Sequence, residues 1–135
     1  MAPKLADFEG EWRIERVIRA VGRPEARFSG HAVFRPEGAG LLYREEGELT
    51  MPGAPPMRAE RTYRWSEGGA GIVVTFADGR AFHDFDPAAP RATHWCDPDD
   101  YRVAYDFSGW PVWRAEWRVR GPRKDYVMVS DYRRA

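Results

Sequence analysis

Lysine is almost missing from this chain. Lys4 and Lys124 are the only two, and arginine supplies the rest of the 21 basic residues, which 21 acidic residues balance. Formal net charge is zero and no segment concentrates either sign, so there is no electrostatic footprint for nucleic acid or an anionic membrane. Neither is expected as a partner. The preference for arginine over lysine reads as codon usage in a GC-rich genome and carries no functional weight. Cysteine is scarcer still: Cys96 stands alone, which excludes an internal disulfide and fits a reducing compartment. No apolar run approaches the ~20 residues that a membrane helix requires. The first residues also lack the charged and apolar regions of a secretory signal. The expectation is therefore a soluble, cytoplasmic protein. Helical periodicity is absent too, since nothing after Ala20 sustains apolar residues at i, i+3 and i+4.

What is present is period-two alternation and aromatic side chains. Six Trp, six Tyr and seven Phe stand among 135 residues that are 43% hydrophobic and 31% charged, the composition of a folding globule and not of a disordered chain. One domain over residues 1–135 is expected at this length. Alternation between turn signals predicts about ten strands: Trp12–Ala20, Phe28–Arg35, Leu41–Leu49, Ala59–Trp65, Gly71–Ala77, Arg80–Phe85, Ala92–Cys96, Tyr101–Phe107, Val112–Arg120 and Asp125–Arg133. The breaks hold Gly22-Arg23-Pro24, Pro36-Glu37-Gly38, the Met51–Pro56 stretch, Gly68-Gly69, Asp78-Gly79, Asp86-Pro87, Asp97-Pro98 and Gly121-Pro122. Consecutive short strands with short turns predict an all-β, up-and-down antiparallel β-barrel, whose closure would remove both sheet edges. Barrels of this strand number either fill with side chains or hold one small ligand.

Two resemblances support this reading. Phe8-x-Gly10-x-Trp12 leading into the first strand, with Val129-Ser130-Asp131-Tyr132-Arg133-Arg134-Ala135 at the other end of the sequence, resembles the lipocalin-like (calycin) barrels. The resemblance implies that Trp12 plugs one end of the barrel and that Arg133 or Arg134 lies over it in a cation–π contact. "RTYRW" (61–65), "DGRAFHDF" (78–85), "HWCDPDDY" (94–101) and "GPRKDY" (121–126) together are similar to an uncharacterised bacterial domain-of-unknown-function family of short cytoplasmic lipocalin-like proteins. That likeness implies a fold and brings no reaction with it.

Alternation also assigns faces. In the first strand Trp12, Ile14, Arg16 and Ile18 must point inward, because a slip of one residue would bury Arg13, Glu15 and Arg19. Trp113, Ala115, Trp117 and Val119 face in along the ninth strand. Tyr101, Val103, Tyr105 and Phe107 do so along the eighth, and Ala59, Arg61, Tyr63 and Trp65 along the fourth. Read as a two-residue turn, Asp78-Gly79 sets Phe76 opposite Ala81 and Val74 opposite His83, which places His83 and Phe85 inside. His94 shares a face with Cys96, and Tyr126, Met128, Ser130 and Tyr132 are expected inward on the last strand.

The inward set of Arg16, Glu45, Arg61, Tyr63, His83, His94, Cys96, Tyr101, Tyr105, Trp117 and Tyr126 is polar for a core. Each unpaired member would cost about 1 to 3 kcal/mol. Some pairing is expected, for instance of Arg61 with Glu45. The surplus of donors and positive charge predicts a wet cavity holding a small, partly aromatic or apolar ligand with a carboxylate or another acceptor. A small enzyme using His and Tyr as acid and base in the same pocket is the alternative. Zinc or haem held through His83 and His94, with Cys96 as a third zinc ligand, is a weaker one. A nucleophilic Cys96 oriented by Asp97, Asp99 or Asp100 lacks any oxyanion loop in support. An interaction module would need an apolar outer patch, whereas the outer faces read as charged. No cofactor is expected; a homodimer formed through a side of the cylinder is compatible with the fold. Lys124 is placed near the barrel mouth, and Trp110-Pro111 and the Met51–Pro56 loop are expected at its rim.

Overall fold

The computed structural model describes residues 2–135. After a single 3-10 turn at Leu5–Phe8 the chain forms ten strands: β1 Gly10–Ala20, β2 Ala26–Glu37, β3 Gly40–Thr50, β4 Met57–Gly68, β5 Gly71–Phe76, β6 Ala81–Phe85, β7 Arg91–Cys96, β8 Asp99–Asp106, β9 Trp113–Arg120 and β10 Asp125–Arg134. All pair antiparallel in the order β6-β5-β4-β3-β2-β1-β10-β9-β8-β7. Trp12 opposite Arg134 and Ala20 opposite Tyr126 bring the first and last strands together, so the meander curls into a nearly closed barrel. All ten expected strands are present. The 3-10 turn has no period-two signal, and alternation passed over it.

Two expectations need correction. Closure is incomplete, because β6 and β7 form no ladder among the described residues. The connection from Phe85 to Arg91 contains Pro87 and Pro90, and the Tyr105 N–H is spent on the Pro90 carbonyl at 2.8 Å. Proline supplies no N–H to extend a ladder here. Side chains close the seam instead, with the Phe82 and His94 rings 5.2 Å apart. The Asp78-Gly79 hairpin also differs. Val74 does pair with His83, but Thr75 and not Phe76 pairs with Ala81. The Gly79 N–H donates to the Phe76 carbonyl and the Phe76 N–H to the Arg80 carbonyl, both at 2.9 Å, making a three-residue turn with Gly79 at φ +91°. A turn of this length requires a residue in the left-handed region and leaves a bulge beside it. The extra residue is Phe82, which the bulge turns inward next to His83.

The two ends of the cylinder differ. At one end Phe8, Trp12, Phe34, Trp65 and Trp113 form a solid aromatic plug, with Phe8 and Trp12 fully buried. Trp110 belongs to this plug, its ring 4.9 Å from Phe8 and 5.6 Å from Trp12, and not to the rim where it was expected. Arg134, and not Arg133, lies over the Trp12 ring at 3.9 Å. Its guanidinium also donates to the carbonyls of Glu9 (2.8 Å) and Asp7 (2.6 Å). Gly10 precedes Trp12 for a local reason: its φ is +121°, and a Cβ there would sit 2.8 Å from the Arg134 guanidinium. The other end, where the Met51–Pro56 loop lies, is open. No helix among the described residues is long and apolar enough to cross a membrane.

Candidate functional site

Between the plug and the open end runs a funnel of two lobes. The inner lobe, of about 50 Å³, is walled by residues from β1, β3, β4, β5, β6, β8, β9 and β10. The outer lobe, of about 220 Å³, is lined by Phe76, His94, Cys96, Tyr101 and Tyr126 among others. Arg61, Tyr63, Phe82, Trp117 and Met128 line both lobes and form the neck. Phe82 and Trp117 stack there at 5.0 Å with planes 9° apart.

The floor of the inner lobe is an ion pair. Arg16 and Glu45 are both buried, and the guanidinium grips the carboxylate with both terminal nitrogens, at 2.6 and 2.9 Å. Arg16 Nε donates to Ser130 Oγ at 2.7 Å, and its guanidinium lies 5.0 Å over the Phe28 ring. The Tyr43 hydroxyl donates to Glu45 Oε1. Tyr132, 2.9 Å from that hydroxyl, therefore donates to Tyr43. Burial holds the phenols of Tyr43 and Tyr132 protonated, the latter pushed up to about 12. Tyr132 is fixed in turn by a parallel stack on Trp113 at 3.8 Å. Arg61 stands opposite Glu45 on the neighbouring strand, yet the pair expected there does not form. Glu45 is saturated by Arg16 reaching across from β1, and Arg61, further up, is exposed at the neck. It has no salt-bridge partner among the described residues.

His83 lies on the inner-lobe wall, 7% exposed, with Nε2 2.8 Å from the Tyr105 hydroxyl. Burial, together with the charge of nearby His94, lowers its pKa to about 4, so the ring is neutral at pH 7. Burial likewise raises the Tyr105 phenol well above its ordinary value. The surplus of positive charge expected inside the barrel is thus confined to Arg61 at the neck. The sign of the His83 shift gives a stability prediction. The unfolded ring takes up a proton below pH ~6.5 and the folded one resists until about 4, so its contribution is complete above pH ~6.5 and is lost as pH falls towards 4. Urea unfolding at pH ~7.5 and ~4.5 should differ by about 2 to 3 kcal/mol from this group. His83→Asn should remove that part of the slope, and equal slopes in both proteins would refute the assignment.

The remaining expected residues separate by depth. His94, Cys96, Tyr101 and Tyr126 line only the outer lobe, with Cys96 exposed. Lys124 stands at the rim, 2.9 Å from the Tyr101 hydroxyl and 3.2 Å from Asp99. Tyr63 and Trp117 are half-buried at the neck. His83, His94 and Cys96 do not converge: among the described residues no three His, Cys, Asp or Glu side chains are grouped to hold a metal. Neither lobe encloses the volume of a haem. The outer wall carries charged side chains as expected, together with the exposed apolar residues Trp95 (63%) and Val33 (36%). Tyr43 and Phe82 were missed. Tyr43 was legible, two residues before Glu45 on the same face; Phe82 was hidden by the bulge.

Residues 8–134 match the model of a family of unknown function (DUF6314). No curated protein matches the chain in sequence. Among solved structures it is similar to the S-type phycobiliprotein lyase CPES from Guillardia theta, with a TM-score of 0.61 and 8% identity, over 97% of this chain and 90% of that one. At that identity the likeness establishes a shared barrel fold alone.

Proposed function

The chain belongs to the family of unknown function DUF6314, and from that premise we propose that it binds a small molecule in the barrel funnel. The ligand is partly aromatic and carries an acidic or acceptor-bearing end. One observation carries this reading: an unpaired arginine, Arg61, stands at the aromatic neck of a funnel open to solvent. A guanidinium there can grip a carboxylate with two hydrogen bonds while Phe82, Trp117 and Tyr63 cover the ring of the same molecule. The combined size of the lobes limits the ligand to one or two rings. Acid–base catalysis by His83 and Tyr105 in this pocket is the weaker reading, because one pKa is near 4 and the other far above neutrality.

Arg61→Leu is the test. Titration calorimetry with substituted benzoates should show affinity falling roughly 10- to 100-fold, the usual cost of losing a charged hydrogen bond. The urea midpoint should stay nearly unchanged, since an exposed side chain is replaced. Unchanged affinity, or loss of the fold, would defeat the proposal. Native mass spectrometry of protein purified without denaturation should in addition reveal a small bound species.

A further inference from the structure

Phe82 bars the neck between the two lobes. Its ring stacks on Trp117 of β9 at 5.0 Å, on Phe76 of β5 at 4.6 Å and on Tyr63 of β4 at 5.6 Å, with planes inclined by 9°, 21° and 26°. Along the strand order β4-β3-β2-β1-β10-β9, β4 and β9 stand five steps apart, on opposite walls of a ten-stranded cylinder. One side chain therefore reaches both walls.

The backbone puts it there by an irregularity. Along a regular strand neighbouring side chains point to opposite faces, so an inward His83 would send Phe82 outward. Between Val74 and Thr75 the register shifts by one residue, and both side chains line the inner lobe. Bulges re-aim side chains in this way and gather at barrel rims and beside active sites.

The lobes differ in what they can hold. An apolar cavity of about 150 Å³ takes up one benzene ring. The outer lobe, about 220 Å³, exceeds that size, and the inner one, about 50 Å³, falls far below it. A ring entering from the open end is stopped at Phe82, and the space beyond is too small for another ring.

We infer that Phe82 is the floor of the binding site and the residue that selects the ligand by depth. This rests on the funnel binding an aromatic acid, and it narrows the ligand class. The ring sits in the outer lobe against Phe82 and Trp117, the acid meets Arg61, and acids with a further ring on the inward side are rejected.

The experiment titrates benzoate, biphenyl-3-carboxylate and biphenyl-4-carboxylate into wild type, Phe82→Ala and Phe76→Ala by calorimetry. Phe76 is the control, a ring of the same size that lines the outer lobe and not the inner one. In Phe82→Ala benzoate loses part of its floor, while a second ring can take the vacated place between Trp117 and Tyr63. The affinity of the better biphenyl acid relative to benzoate should therefore rise about tenfold, the usual gain from burying one ring. Phe76→Ala leaves the partition standing and should change that ratio little. Phe82→Leu shortens the partition and keeps it apolar; it should give a smaller rise in the same direction and replaces the alanine variant should that one not fold. An unchanged or lower ratio in the Phe82 variants, or an equal rise in Phe76→Ala, would overturn the partition, and benzoate binding that still depends on Arg61 would leave the funnel reading standing. If benzoate fails to bind wild type saturably, or binds Arg61→Leu equally well, the funnel reading falls and the depth selection falls with it.

Discussion

Glu45→Gln is expected to destabilise the protein by about 3 to 5 kcal/mol, the cost of leaving one member of a buried ion pair without its counter-charge. For a chain of this length that corresponds to a fall of roughly 10 to 20 °C in Tm. The reason is local. Arg16 is held between β1, β3 and β10 with Glu45 as its counter-ion, and among the described residues no other carboxylate forms an ion pair with the guanidinium. Replacing both partners with apolar residues, Arg16→Met with Glu45→Leu, should cost much less than Glu45→Gln alone, since no orphaned charge remains. A double variant as unstable as the single one would show that the pair holds the barrel by more than mutual neutralisation. The pH dependence has a definite sign. Burial alone would raise the Glu45 carboxyl, but the Arg16 guanidinium and the Tyr43 hydroxyl overcome it and leave the pKa below its ordinary 4.5. The stabilisation is complete above that value and is lost as pH falls through the lower folded value, a loss that the Gln variant should lack.

Trp12→Ala is expected to cost about 3 to 5 kcal/mol from the cavity it leaves, and somewhat more because polar contacts go with it. The indole is fully buried, donates to the Phe8 carbonyl at 2.8 Å, and packs edge-on against Trp113 at 5.8 Å. It is also the surface against which Arg134 lies. Arg134→Leu should cost only about 1 kcal/mol, because that guanidinium is exposed and its carbonyl partners can turn to water. In Trp12→Ala the Arg134 substitution should lose most of its effect, a coupling that a double-mutant cycle in urea would measure. A loss below about 2 kcal/mol for Trp12→Ala would mean that the plug collapses around the gap, and that one end of the barrel is not sealed by this residue.

The inward faces of β1, β8 and β9 were legible because charge alternates with apolar bulk along them, and a wrong register would bury arginines and glutamates; along β10 Val127 and Val129 stand on the outer face and weaken that contrast. Arg16, Tyr105 and Trp117 follow from that rule alone. Where alternation weakens, reading fails for identifiable reasons. Phe82 is hidden because one backbone residue is inserted at the Asp78-Gly79 hairpin, and a sequence does not announce whether such a turn has two residues or three. Arg61 was placed on the correct face, but at a depth that strand order does not give.

By itself the sequence determined an all-β meander of ten strands and most of the side chains that share its inner wall, because these depend on local periodicity and turn chemistry; the plug at one end followed from the resemblance to calycin barrels. The pairing of Arg16 with Glu45 across β2, the seam between β6 and β7, and the neutral His83 were decided only in three dimensions. Each depends on the depth and distance of groups on strands far apart in the chain, and the curvature of the barrel sets those distances.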